Sequence, residues 1–342
     1  MSVKKNREGH QLESRRYSEI DLLKCVCILT VVYIHAISTS FEPSNFLGYL
    51  ASDLCRFAVP GLFFAAGFLF DKKINSTGQM IEKKLVRLLP PYLFCSICMQ
   101  FLDVPGLSVE LKNLNAGQVI YNLIFGDTLG IYFFVFVLFY LFILSLVLRH
   151  VSGKWVLGLW VLSAIFLFAF VKGFIGSGMS LFLMFRHPFF HLFAYMSGWV
   201  FSLYYETLGS FFRQYRIGVI CSGVVLVAII LVFTRVGGNH FSSFPILSQF
   251  YIYTCVILLI TAGMRIHKFQ SGIQFVSNAS YGIYLLHFPI VRACQSVYPE
   301  ISVDYSFVYA FVSWCAGVST SILIILAIKK IAGRYSAYLV GY

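Results

Sequence analysis

Charge is what this sequence has least of: only 12% of its 342 residues are Asp, Glu, Lys or Arg, and acids number 14 against 26 bases. It has no long linker rich in proline, glycine or serine, and no internal repeat. Its nine cysteines, among them Cys25, Cys27, Cys95 and Cys98, fall within or beside apolar stretches, where they read as small buried hydrophobes. Neither a zinc site nor a disulfide framework is expected, and no metal is assigned. What is abundant instead is apolar surface, at 59% hydrophobic residues and a mean hydropathy of +0.81. A soluble core has no use for so much of it.

A bilayer core about 30 Å thick needs roughly 20 apolar residues per helix. Stretches of that kind recur near 20–40, 46–70, 88–102, 129–148, 155–171, 189–205, 217–234, 249–264, 278–298 and 306–328. The expected fold is an all-α, polytopic transmembrane helical bundle of about ten spans. The third stretch is short, and Gly126 to Gly130 reads as a re-entrant or interfacial piece. The first is long, has a basic flank and lacks a small-residue cleavage site, so it reads as a retained helix rather than a signal peptide.

Basic residues orient the bundle, because Lys and Arg accumulate in short cytoplasmic loops. Lys4, Lys5, Arg7, Arg15 and Arg16 precede the first span, and Lys72, Lys73, Lys83, Lys84 and Arg87 fill the second connection. Arg149, Lys154, Arg213, Arg216, Arg265, Lys268, Lys329, Lys330 and Arg334 fall on the same side, whereas Lys112, Lys172, Arg186 and Arg235 fall on the other. Both termini are therefore expected in the cytoplasm. Residues 1–19 form a basic leading segment, 20–328 one membrane domain and 329–342 a cytoplasmic tail. The net charge of +12 is dispersed over these loops and does not point to nucleic acid.

Function is sought among polar groups inside the apolar stretches, where each costs at least a few kcal/mol. The first stretch carries Asp21, Lys24 and His35. Eleven residues separate Lys24 from His35, which returns to within about 20° of the same helix face and about 16 Å further along. Asp21, three residues before Lys24, is placed to pair with it. The second stretch carries Asp53 and Arg56, and the ninth His287 and Arg292. By depth, His35, Arg56, His287 and Arg292 converge on one polar region; a purely structural ion-pair network is the competing reading.

Four blocks of sequence resemble the membrane-bound acyltransferase 3 family of bacterial carbohydrate O-acyltransferases. The first is Ile20-Asp21-Leu22-Leu23-Lys24, followed after ten intervening positions by His35. The second, Arg56 to Leu69, is similar to a Val-Pro-x-Phe-Phe-x-x-Ser-Gly helix, with Ala66 where the family has serine, so that hydroxyl is missing here. The third, Lys83 to Tyr92, resembles an Arg-x-x-Arg-x-x-x-Pro motif with Lys84 at its first arginine, which keeps the charge and loses the bidentate fork. The fourth, Ser280 to Pro289, resembles a Ser-x-Gly-Ile-Tyr-Leu-x-His-x-Pro helix.

The resemblance implies transfer of an acyl group, commonly acetyl, from cytoplasmic acyl-CoA to a sugar hydroxyl of an extracytoplasmic or lipid-linked glycan. It places the protein in the bacterial cytoplasmic membrane, with lipid and a surface glycan as partners, no nucleic acid, and homo-oligomerisation left open. Lys24, Lys83, Lys84 and Arg87 are then the donor-binding residues, since coenzyme A carries several phosphate charges. His35 is the general base or a transient acyl carrier. Asp21 or Asp53 orients the basic groups, and Arg56, His287 or Arg292 stabilises the developing oxyanion. Arg186, His187 and His240, with Arg292, are the expected acceptor side, and His191 lies in the same region. The alternatives are a proton-coupled exporter of a glycan or lipid-linked sugar, and a non-catalytic scaffold; the missing repeat and missing matched broken helices speak against the exporter.

Overall fold

The computed structural model of the chain describes residues 16–37, 53–70, 77–101, 116–126, 128–176, 186–236, 245–266, 268–297 and 306–342. Every regular element among the described residues is helical. In chain order these are α1 (Ser18–Ile37), α2 (Ala58–Phe68), α3 (Thr77–Phe101), α4 (Ala116–Phe125), α5 (Phe133–Leu148), α6 (Gly153–Gly176) and α7 (Pro188–Leu203). Then come α8 (Tyr205–Gln214), α9 (Arg216–Val236), α10 (Pro245–Gly263), α11 (Gln270–Ser296), α12 (Ser306–Ala332), a 3-10 turn at Gly333–Tyr335 and α13 (Ser336–Val340).

Five segments are long and apolar enough to cross a membrane by length and composition: Ser18–Ile37, Gly153–Gly173, Arg216–Phe233, Ile246–Gly263 and Phe307–Val340. α11 is just as long but diluted by Gln270, Ser271, Gln274, Ser277, Asn278 and Ser280. Ser277, Ser280 and His287 are nonetheless buried, so this helix turns its polar face inward. The rim is the reverse: Ile217, Val224, Val225, Ile229, Val232 and Phe233 of α9 and Val161, Leu162, Ile165 and Phe166 of α6 are exposed. An apolar exterior around buried polar groups suits a lipid solvent.

α1 is central, packed against α2, α10, α11 and α12. Its apolar residues run around the whole helix, as a helix buried on all sides requires. Trp314 of α12 donates to the Leu29 carbonyl of α1 at 2.9 Å. The closest crossing joins α2 to α7, where a Cβ on Gly67 would lie 1.9 Å from the Tyr195 carbonyl oxygen and one on Gly198 1.9 Å from that of Phe64. Only hydrogen in place of a side chain lets these two backbones meet.

Several boundaries differ from the hydropathy pattern. In the expected span 46–70, residues 53–54 are helical and 55–57 form a turn before α2 begins at Ala58, which puts Pro60 in the first turn where proline is tolerated; residues 38–52 lie outside the described part. α3 begins well before the expected 88, since Lys83, Lys84 and Arg87 continue the helix that hydropathy assigned to a loop. Before α5 the chain forms the short, unburied α4 and then turns through Gly126 and Gly130, both at φ 69°. Beyond 328 the chain packs back: α13 lies on α3, Val340 is fully buried and Lys329 sits over the Tyr342 ring at 4.3 Å.

Candidate functional site

Two polar clusters lie along the α1–α11 pair, and their order along both helices makes the two run parallel. The lower one surrounds Ser277. Its hydroxyl donates to Asp21 Oδ1 at 2.6 Å, and its carbonyl accepts from Lys24 Nζ at 2.8 Å. Arg16 Nε donates to the other Asp21 oxygen at 2.6 Å, and Arg16 Nη2 to Asn278 Oδ1 at 3.2 Å. The contact expected between Asp21 and Lys24 is thus replaced: the carboxylate takes Arg16 and Ser277, and the ammonium takes a backbone carbonyl. A lysine pointing along the helix face toward α11 reaches that carbonyl more directly than it can curl back one turn.

The upper cluster is built on His35, eleven residues further along α1. Its ring centre is 5.3 Å from that of His287 and 5.1 Å from Phe288, which meets it edge-on. Arg292 is within electrostatic reach of the same imidazole. Gln295, two turns beyond His287 on one face of α11, donates to the carbonyls of Ala36 at 3.0 Å and His35 at 3.4 Å. Those are carbonyls of the last turn of α1, which have no partner within their own helix. Gln295 therefore closes the end of α1 at the histidine.

Pro289 shapes α11 here. Lacking an N–H, it leaves the Leu285 carbonyl without its helical donor, and Tyr132 of the turn before α5 supplies a hydroxyl at 2.7 Å. Tyr284 returns the tie by donating to the Ile131 carbonyl, and its ring lies 6.0 Å from His287. His287 donates through Nδ1 to the Ile283 carbonyl at 2.9 Å, since a carbonyl can only accept. Its Nε2 consequently carries the lone pair of the neutral ring. It is fully buried, and no described residue bonds to it. An oxyanion-stabilising role for His287 does not fit that tautomer, because its one proton is spent on Ile283.

The remaining sites have contacts of their own. Arg56 Nε binds Asp53 Oδ1 at 2.9 Å, an i,i+3 ion pair. Arg87 is exposed on α3; the side chains of Lys83 and Lys84, and all of His240, lie outside the described residues. Arg186 Nη2 donates to the Gly130 carbonyl at 3.0 Å. His187 caps α7 by accepting from the Phe189 amide at 3.4 Å, and burial lowers its pKa, which favours the neutral ring. His191 is buried and stacks on Phe63 with ring centres 4.3 Å apart.

Sequence reasoning missed Ser277, Gln295 and Tyr132. Gln295 was findable as the i+8 partner of His287, and Tyr132 through the carbonyl that Pro289 must orphan. Ser277 gave no signal beyond being polar. Among the described residues no group of three or more His, Cys, Asp or Glu is arranged to hold a metal ion.

A family model described as an acyltransferase domain, that of the acyltransferase 3 family, matches residues 17–330, nearly the whole chain and both clusters. No curated protein and no solved structure matches.

Proposed function

This chain belongs to the acyltransferase 3 family, and from that premise we propose that it is a multi-pass O-acyltransferase of the bacterial cytoplasmic membrane. It takes an acyl group, acetyl by preference, from cytoplasmic acyl-CoA to a sugar hydroxyl of an extracytoplasmic or lipid-linked glycan. About ten spans with both termini in the cytoplasm is the topology that the distribution of Lys and Arg supports.

The observation that carries this reading is the position of His35. It is an imidazole on the central helix, partly accessible, with Phe288 edge-on to its ring and Gln295 on the backbone carbonyls of its helix turn, and eleven residues above Lys24 at the basic end of the same helix. Acyl transfer to a hydroxyl needs a base that is neutral near pH 7, and imidazole is the side chain suited to it. In the direct route His35 takes the proton of the sugar hydroxyl as that oxygen bonds to the thioester carbon. The C–S bond then breaks, and His35 returns the proton to the departing sulfur. Arg292, a cation within electrostatic reach of the ring, is suited to the charge that builds on the carbonyl oxygen. Lys24 and Arg87, with Lys83 and Lys84 of α3, supply positive charge for the coenzyme A phosphates. The roughly 16 Å that eleven helical residues span between Lys24 and His35 suits an extended pantetheine arm.

The test is the surface glycan of a deletion strain complemented with wild type or His35→Ala at equal expression, read by mass spectrometry and NMR. The ester is expected to vanish on deletion, return with wild type and stay absent with His35→Ala. Full esterification by His35→Ala removes the catalytic assignment. Loss of the glycan from the surface with its esters intact inside the cell would replace the enzyme by an exporter.

A further inference from the structure

His287 is the one group of the upper cluster whose protons and lone pairs can be assigned atom by atom, and the assignment gives it a task. Its Nδ1 proton is committed to the Ile283 carbonyl. Its Nε2 lone pair is buried in the bundle with no donor among the described residues. An acceptor left so costs about 1–3 kcal/mol, enough to call for an explanation. The nearest ring is His35, which must itself present one protonated and one bare nitrogen in order to act as a base. Two imidazoles joined by one N–H···N hydrogen bond of ordinary length have ring centres about 5.2 Å apart. The observed separation is 5.3 Å, with the rings tilted by 41°. The two residues differ in access: His35 retains exposed surface, whereas His287 has none.

We propose that His287 is the positioning residue of His35: Nε2 of His287 accepts the N–H of the His35 ring and so fixes the tautomer that leaves the other His35 nitrogen bare toward the acceptor hydroxyl. Closing the bond requires the two ring planes, now tilted by 41°, to turn toward each other. Ile283, His287, His35 and the sugar hydroxyl then form one directed chain in which each proton has a single place. The N–H toward His287 stays on His35 throughout the reaction. The opposite nitrogen takes the hydroxyl proton as the new C–O bond forms, and gives it to sulfur as the C–S bond breaks. His287 does here what an orienting carboxylate does in a hydrolase triad, and a neutral acceptor avoids placing a charge in the apolar bundle. This inference rests on the proposed acyl transfer.

Two isosteres separate orientation from mere packing. Asn reproduces the Nδ1 position, so His287→Asn keeps the bond to Ile283 and loses the acceptor toward His35. His287→Gln reaches the Nε2 position with an amide oxygen and gives up the Ile283 bond. Membranes of a deletion strain expressing each variant are supplied with radiolabelled acetyl-CoA, and initial rates of transfer to membrane glycan are measured over a range of donor concentration. With His287→Asn, kcat is expected to fall about a hundredfold while the KM for acetyl-CoA stays within about twofold. His287→Gln is expected to recover at least about tenfold of that loss. An Asn variant as active as the Gln variant, or wild-type kcat in both, overturns the proposal.

A second measurement needs no variant to fold well. Solid-state NMR of 15N-histidine-labelled wild-type protein in lipid should show His287 in the Nδ1–H form with its Nε2 accepting a hydrogen bond; an Nε2–H form overturns the pairing. A wild-type protein that transfers no acetyl group sinks the parent function, and the tautomer still decides the pair.

Discussion

Asp21 is held by two donors of unequal worth, and at the scale of single residues the difference can be measured. The Arg16 side chain is 44% exposed, so water and salt screen its ion pair, and Arg16→Gln is expected to lower stability by less than about 1 kcal/mol. Ser277 is fully buried, and Ser277→Ala takes the hydroxyl from a mostly buried carboxylate at a cost of about 1–3 kcal/mol. Thermal unfolding in detergent should therefore rank Ser277→Ala below Arg16→Gln; the opposite order would mean that the ion pair carries the clamp. Lys24 and His35 were legible as residues of interest, because ionisable groups inside an apolar helix are costly and so stand out. Their partners were not. Which oxygen Lys24 reaches, and which tautomer His287 adopts, depend on backbone atoms of α11 that every sequence possesses.

At the scale of elements, the crossing of α2 and α7 decides what can be substituted. Gly198→Ala would set a methyl 1.9 Å from the Phe64 carbonyl oxygen, a contact that only separation of the two helices relieves. Loss of folded protein in fluorescence-detected size exclusion is expected. Gly158→Ala on α6 meets nothing within 4 Å and should raise stability by up to about 1 kcal/mol, since it only improves helix propensity. Equal behaviour of the two would show that the α2–α7 contact is not close. Tyr132→Phe tests the other junction: it strands the Leu285 carbonyl beside Pro289 and is expected to cost about 1–3 kcal/mol, read as a lower Tm. Hydropathy found most of these helices and misjudged their ends. Window averages mark apolar composition, whereas helices stop at caps, prolines and glycines, and a charged run such as Lys83 to Arg87 continues a helix without penalty once it leaves the hydrocarbon.

On the whole molecule, the apolar rim predicts where charge is not tolerated. Val225 and Ile229 of α9 are 55% and 58% exposed on a helix that packs mainly on α10. Val225→Arg is expected to raise the cost of inserting that helix by about 2.5–3.5 kcal/mol and to lower the amount of protein in the membrane fraction. Unchanged membrane yield would show that this face meets water. The orientation is tested separately: Lys268→Cys, in a variant lacking the native cysteines, should react with a membrane-impermeant thiol reagent only in inverted vesicles. Labelling in intact spheroplasts would reverse the topology.

The sequence by itself determined that the chain is an all-helical membrane protein and that it resembles the acyltransferase family to which it belongs, and it singled out His35 and His287 as candidates. All three are written in composition, in periodicity and in short motifs, which survive without knowledge of contacts. Tertiary structure alone decided that α1 and α11 run side by side, that Ser277 rather than Lys24 bonds the Asp21 carboxylate alongside Arg16, that Gln295 closes the end of α1, and that the centres of the two histidine rings stand 5.3 Å apart. Those outcomes are set by the packing of helices whose apolar surfaces resemble one another. Inside a membrane the choice among such surfaces falls to close backbone approach and to the few polar groups that must find partners.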